Sequence, residues 1–304
     1  MSGRATAFDR VVMVDWSANN GPKRGKDSIW VAVGDRAGTV QATNHPTRPA
    51  AHAAVTALLD EALRDGTRVL VGYDFGFGYP AGFAPTFPGP RGPWENLWAY
   101  LEQVVTDTNT NVNNRFQVAE TLNARHRAAL FWGVPQPLPA LSPRRKEPPQ
   151  GLSDNPFAAF RVTELAASSQ CGKTIKSVWQ LYGGVSVGSQ VLTGLPYLER
   201  LRRRYATQLA VWPQGTGFVD DPLVGRPESM ILLVEIWPTA FVPTYVDGAG
   251  ERDEQQVSWA VRACFRQQAT GGMAQWFNPA SVRKLAPAEV DVVRQEEGWI
   301  LCVE

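Results

Sequence analysis

The sequence predicts an α/β protein: a mixed sheet, an antiparallel three-stranded meander joined to parallel strands, carrying a large and mostly helical insertion. Three observations predict it. Arg10-Val-Val-Met-Val-Asp15, Arg68-Val-Leu-Val-Gly-Tyr-Asp74 and Met230-Ile-Leu-Leu-Val-Glu235 are short apolar runs, the pattern of strands buried on both faces. Two more strand patterns, Ser28–Gly34 and Thr39–Thr43, follow the first run with only short polar turns between them, which is the signature of a meander. A helical pattern then precedes the fourth strand, so that strand is expected to run parallel to the first.

Taken in order, the chain supports each element. The turn Ala18–Asp27 is rich in Gly, Asn and Pro and joins the first two strands. Val55, Leu58, Leu59 and Leu63 give His52–Leu63 its helical spacing, and Gly66 stops it. The insertion spans 75–227. In it, Pro/Gly-rich turns alternate with helical patterns at Trp94–Val105, Phe116–Phe131, Phe157–Ala167 and Ser189–Tyr205, expected to cap the sheet edge. Leu209–Trp212 reads as a short extra strand and Met230–Ile236 as the next core strand. A last large helix is expected over Asp253–Ala269, then a helix at Glu289–Arg294 and an edge strand at Trp299–Val303. With no linker or repeat, residues 1–304 read as one domain.

Composition excludes several functions. A formal net charge of +1 provides no global field for long nucleic acid or anionic membrane. The apolar runs are far shorter than the ~20 residues of a membrane helix. Met1–Arg10 lacks the apolar core of a signal peptide. Cys171, Cys264 and Cys302 are odd in number and unpaired in spacing, which fits the cytoplasm better than a disulfide framework. His45, His52 and His126 are scattered, so zinc of the His/Cys type is not expected.

What remains is carboxylate chemistry. Three strands with acids at their C-terminal ends bring Asp15, Asp74 and Glu235 towards one sheet edge. Clustered carboxylates repel and stay ionised only around cations. Mg²⁺ or Mn²⁺ held by such acids can activate water against a phosphodiester. Asp15 is assigned as bridging ligand and Asp74 and Glu235 as flanking ligands, with Asp253 completing a second site. The bland reading is that the acids cap strands or bind backbone amides.

The order β-β-β-α-β opens a ribonuclease H-like fold and also each lobe of the actin and sugar-kinase group. Val14-Asp15-Trp-Ser17, Gly72-Tyr-Asp74-Phe-Gly-Phe-Gly-Tyr-Pro80 and Val234-Glu235-Ile-Trp-Pro238 resemble domain-of-unknown-function family four-two-nine, predicted nucleases of the ribonuclease H-like superfamily. The resemblance covers the sheet and the final helix, about half of the chain. It implies an acid opening that helix, here Asp253 or Glu254, although Asp253-Glu-Gln-Gln-Val257 departs from the family's small residues.

The expected function is therefore divalent-metal-dependent hydrolysis of a phosphodiester, in nucleic acid or a nucleotide-like molecule. One alternative is an ATP-using phosphotransferase, in which Ser17, Lys23 and Arg24 of the first hairpin would hold phosphate; the bland reading is a solvated hairpin tip. Another is a non-catalytic binding or scaffold protein. In the insertion, Arg125 and the basic residues around it, with Lys173 and Lys176, are candidates for meeting a phosphate-bearing substrate. Trp132, Trp179 and Tyr182 are candidates for stacking on bases. Gly183–Gln190, ahead of a helix, is a weak anion signal, and Arg200 to Arg204 read as a solvated face.

Overall fold

Val11 to Val14 form the central strand because each residue has an apolar surface to meet on its own side of the sheet. The computed structural model describes residues 7–173, 175–183, 186–226, 228, 230–238 and 250–304. The strands are β1 (Arg10–Asp15), β2 (Ile29–Asp35), β3 (Val40–His45), β4 (Val69–Tyr73), β5 (Leu209–Val211) and β6 (Ile231–Glu235). They make one six-stranded sheet in the order β3-β2-β1-β4-β6-β5. β1, β2 and β3 are antiparallel, while β1, β4, β6 and β5 run parallel. The meander and the parallel continuation are both as the sequence predicts. Leu209–Val211 is the edge strand, outside β6.

Alternation along each strand splits the core in two. Val12, Val14, Val69, Val71 and Leu233 face a layer built by α1 (Arg48–Arg64), α2 (Pro93–Val104), α3 (Arg115–His126) and α5 (Gly188–Arg204). Val11, Met13, Leu70, Leu232 and Val234 face the other way, towards α6 (Arg252–Ala269), α7 (Met273–Phe277) and Ala167 of α4 (Val162–Cys171). Each fully buried Val or Leu stabilises the fold by about 1.5–3 kcal/mol.

Several boundaries differ from expectation for identifiable reasons. α1 begins at Arg48, four residues early, because Thr47 caps it: the Thr47 hydroxyl accepts the Ala50 N–H at 3.3 Å. α3 stops at His126, where Arg127 turns left-handed (φ 51°). Residues 157–161 are not helical, and α4 starts only at Val162. The tail adds α8 (Pro287–Val292), but 299–303 makes a single bridge, Glu235 to Ile300, in place of a strand.

Residues 75–227 are not a cap set above the sheet edge. Their helices α2, α3 and α5 share one apolar core with α1 and the sheet. The arginines of α5 are not a bare solvated face either. Arg200 and Arg203 pair with Glu102, Arg202 with Glu95 and Glu199, and Arg204 with Asp60, tying α5 to its neighbours. Trp179 is 1% exposed, packed among Tyr79, Phe83, Phe131 and Phe157, so it is core and no base platform.

Gly72 is where the sheet is tightest. A Cβ there would lie 2.8 Å from Ile236 Cγ2 and closer still to Met13 Sδ. Gly72→Ala is expected to cost about 1–3 kcal/mol through overpacking, read as a lower urea midpoint. An unchanged midpoint would contradict this packing.

Candidate active site

Register decides which acids meet. Val14 pairs with Tyr73, and Tyr73 with Glu235. The next rung therefore holds Asp15, Asp74 and Ile236, tied by Asp74 N–H to Val14 O at 3.2 Å and Ile236 N–H to Tyr73 O at 2.8 Å. Neighbours on one rung of a parallel sheet point to the same face. Asp15 and Asp74 thus stand together on the α6 side, as Met13 and Gly72 do two residues earlier. Glu235 is one residue short and belongs to the opposite face.

Asp15 and Asp74 are half-buried and share a hydrogen bond. Burial pushes the Asp15 carboxyl well above the usual range, and the charge of Asp74 and the bond between them push it further. Burial raises Asp74 too, although the Asp15 bond and the Trp16 N–H, donated to Asp74 Oδ1 at 2.7 Å, pull it back. Among the described residues neither acid has a lysine or arginine partner in a salt bridge. This is a pair that cannot ionise twice without a cation. Asp253, in the first turn of α6, is close enough for its charge to raise both. Its Oδ2 accepts the Asp27 N–H at 2.8 Å.

Glu235 is the correction to the expected ligand set. Arg161 grips it with two bonds, 2.6 and 2.8 Å, and Phe77 N–H donates to Oε2 at 2.8 Å. Arg161 also holds Glu164, at 3.1 Å, and the Glu297 carbonyl, at 2.8 Å. Arg161, Glu164 and Glu235 are all buried. Glu235 lines the same cavity as the acid pair, but its oxygens are already taken by Arg161 and the Phe77 N–H, unlike those of the flanking ligand expected.

The loop after β1 is positioned by a residue with no motif around it. Arg48, 0% exposed, donates to the carbonyls of Ser17 and Asn19, each at 2.9 Å, and to Asp107 and Asn111. The Tyr197 hydroxyl donates to Asp107 from the other side, at 2.8 Å. Gln190 Nε2 reaches Trp16 O at 2.6 Å, so α5 also clamps this loop.

No family model, curated protein or solved structure matches this chain.

The acid pair opens into a cavity of about 690 Å³, whose walls include Ser17, Lys26, Asp253, Lys173, Lys176 and Trp237. Other expected phosphate ligands lie elsewhere. Lys23 pairs with Asp27 at 3.5 Å, and Arg24 donates to Asn44 O at 2.7 Å; neither lines the cavity. Arg125 donates to Thr86 O at 2.9 Å and lies over the Phe87 ring, also away from it. Ser17 lines the cavity, but its hydroxyl donates to Asp27 O at 3.1 Å and accepts from Asn19. Of the Gly183–Gln190 segment, 184–185 lie outside the described residues; Ser186, Val187 and Gln190 line the cavity. Among the described residues no three His, Cys, Asp or Glu are placed to hold one metal ion.

Arg48, Arg161 and Asp107 were missed by sequence reasoning. Their partners lie 31 to 74 positions away for Arg48–Ser17, Arg48–Asp107 and Arg161–Glu235, and no spacing rule covers such distances.

Proposed function

We propose that this protein is a divalent-metal-dependent hydrolase acting on phosphodiesters. The observation that carries the reading is the Asp15–Asp74 pair, side by side on one rung, raised in pKa and, among the described residues, with no basic side chain paired to it. The donors fit a hard cation: Mg²⁺ commonly uses one or two carboxylates and keeps its remaining waters for substrate. A bound Mg²⁺ or Mn²⁺ would lower the pKa of water and neutralise charge on the phosphoryl oxygens. Asp15 and Asp74 would hold the ion. Asp253, anchored through Oδ2, keeps Oδ1 to accept the proton of the attacking water. Arg48 and Gln190 keep the loop after Asp15 still, which preserves the aim of the pair. The ribonuclease H-like arrangement and the likeness to family four-two-nine belong to this reading; the strand order through β3-β2-β1-β4 supports them. The set differs from the expected one in that Glu235 is held by Arg161.

A second reading rests on the shared hydrogen bond itself. Two carboxyls holding one proton can act as general acid and base without metal. The phosphotransferase alternative is less favoured, since Lys23 and Arg24 are engaged outside the cavity.

Cleavage of bis(p-nitrophenyl) phosphate with Mn²⁺, abolished by EDTA, is the expected result. Cleavage that EDTA leaves untouched would favour the metal-free pair, and none with any divalent ion would overturn the hydrolase. Mn²⁺ affinity should also rise with pH through the raised range of the pair, because the ion must displace its proton. Calorimetry in buffers of different ionisation enthalpy would report that released proton; no buffer dependence would remove the pair from the metal site.

A further inference from the structure

The cavity has a second chemistry opposite in sign to its acid pair. The chain contains only six lysines, and three of them, Lys26, Lys173 and Lys176, line this one cavity. Lys26 comes from the loop after β1, and the other two from the segment leaving α4. Among the described residues none of the three has an ion-pair partner or a side-chain hydrogen bond, whereas Lys23, close by, is paired with Asp27. Of the two arginines that line the cavity, Arg161 is saturated by Glu235 and Glu164, and Arg252 is engaged as well. Three lysines without partners on the wall of a partly enclosed space favour an anion there, beside the carboxylates of the same cavity.

The rest of the lining is mixed: Asp27, Glu251 and Asp253 are on it, and so is an apolar part with Ile175, Ile300 and Trp237, the last only half-buried. An indole edge or face in that position suits a flat base. The volume, about 690 Å³, falls in the range of pockets that enclose whole small molecules. A long duplex would need an open groove.

We propose that Lys26, Lys173 and Lys176 bind a terminal phosphate of a nucleotide-sized substrate whose scissile diester lies over Asp15 and Asp74. The placement of the diester rests on the phosphodiesterase reading above; the lysine site stands or falls separately. Lysine is suited to a phosphomonoester because it acts as a point charge and needs no fixed fork geometry.

The test is equilibrium binding in EDTA to the full chain carrying Asp15→Asn, which prevents turnover. The probes are the dinucleotide ApA and its 5′-phosphorylated form pApA. pApA is expected to bind at least about tenfold more tightly, equal to about 1.4 kcal/mol, with the advantage shrinking as salt rises. Lys173→Glu/Lys176→Glu should erase the difference between the two ligands, and Lys26→Ala should reduce it. Arg144→Glu, a charge reversal on an exposed residue outside the cavity, should leave it intact. Equal binding of ApA and pApA, or a preference that survives the lysine changes, would overturn the proposal. Should the double variant fail to fold, Lys26→Ala and Lys176→Ala measured singly decide the question in the same way. A phosphate preference without any metal-dependent cleavage by the unaltered protein would keep the lysine site and refute the hydrolase. Cleavage of ApA and pApA at one rate with equal affinity would do the reverse.

Discussion

Asp74→Asn is expected to lower Mn²⁺-dependent diester cleavage by at least about 10²–10³-fold, the scale of losing one preorganised electrostatic group at a reacting centre, and to make the metal-free protein more stable. The two effects have one cause. Asp74 Oδ1 accepts the Trp16 N–H and its carboxyl shares a hydrogen bond with Asp15. Asn keeps an acceptor for Trp16 but has no charge to give a cation. A carboxyl whose pKa is raised on folding binds its proton more tightly in the native state. Its contribution to stability is therefore complete below the unfolded carboxylate range, near pH 4. It is lost as pH rises through the raised native value.

Removing Asp74 also removes one of the charges that raises Asp15. At pH 8 without metal, the variant should gain about 1–2 kcal/mol, or roughly 2–6 °C in Tm. The gain should shrink towards pH 4. Differential scanning calorimetry at the two pH values, with an activity assay beside it, checks both halves. Full activity, or a Tm that falls equally at both pH values, would mean the pair is an ordinary structural contact.

Arg161→Met is expected to be the most destabilising single change at the site. It leaves Glu235 and Glu164 buried and facing each other without their cation, with Glu297 beside them. Breaking a buried ion pair from one side typically costs about 3–5 kcal/mol. Burial already pushes Glu164 up to about 7, against the pull of Arg161. Without the arginine, Glu164 should take up a proton more readily. The loss should then be largest at alkaline pH and partly recovered as pH falls.

The companion change is Glu235→Gln. If Glu235 is a structural anion, this variant loses stability but binds Mn²⁺ within about twofold of the unaltered protein, a difference of under about 0.5 kcal/mol. Urea denaturation and Mn²⁺ titration together decide it. A large loss of Mn²⁺ affinity with stability unchanged would return Glu235 to the metal site.

These two residues also mark the limit of sequence reading at the site. Asp15, Asp74 and Glu235 look alike in the chain, each closing an apolar run. Their difference is a matter of parity. Because side chains alternate with period 2, a one-rung offset turns Glu235 away from the pair and into the grip of Arg161, although both still line the cavity. Nothing local in Val234-Glu235-Ile236 states that offset. Asp253 was legible as an acid opening a helix, but its bond to Asp27 N–H across 226 positions was not. Lys23 and Arg24 were credible phosphate ligands by position, yet one turns to Asp27 and the other to Asn44.

By itself the sequence determined the six strands of the sheet, their meander and parallel order, most helices, and the acids that end β1 and follow β4, since hydrophobic period and turn chemistry act over a few residues; the strand it also predicted at 299–303 did not form. Only the tertiary structure decided that 75–227 builds a face of the core, that Asp15 and Asp74 share a rung, and that Arg161 and Arg48 hold the surroundings of the site. Those outcomes depend on inter-strand register and on buried charges finding partners, both of which are set by the whole packed chain.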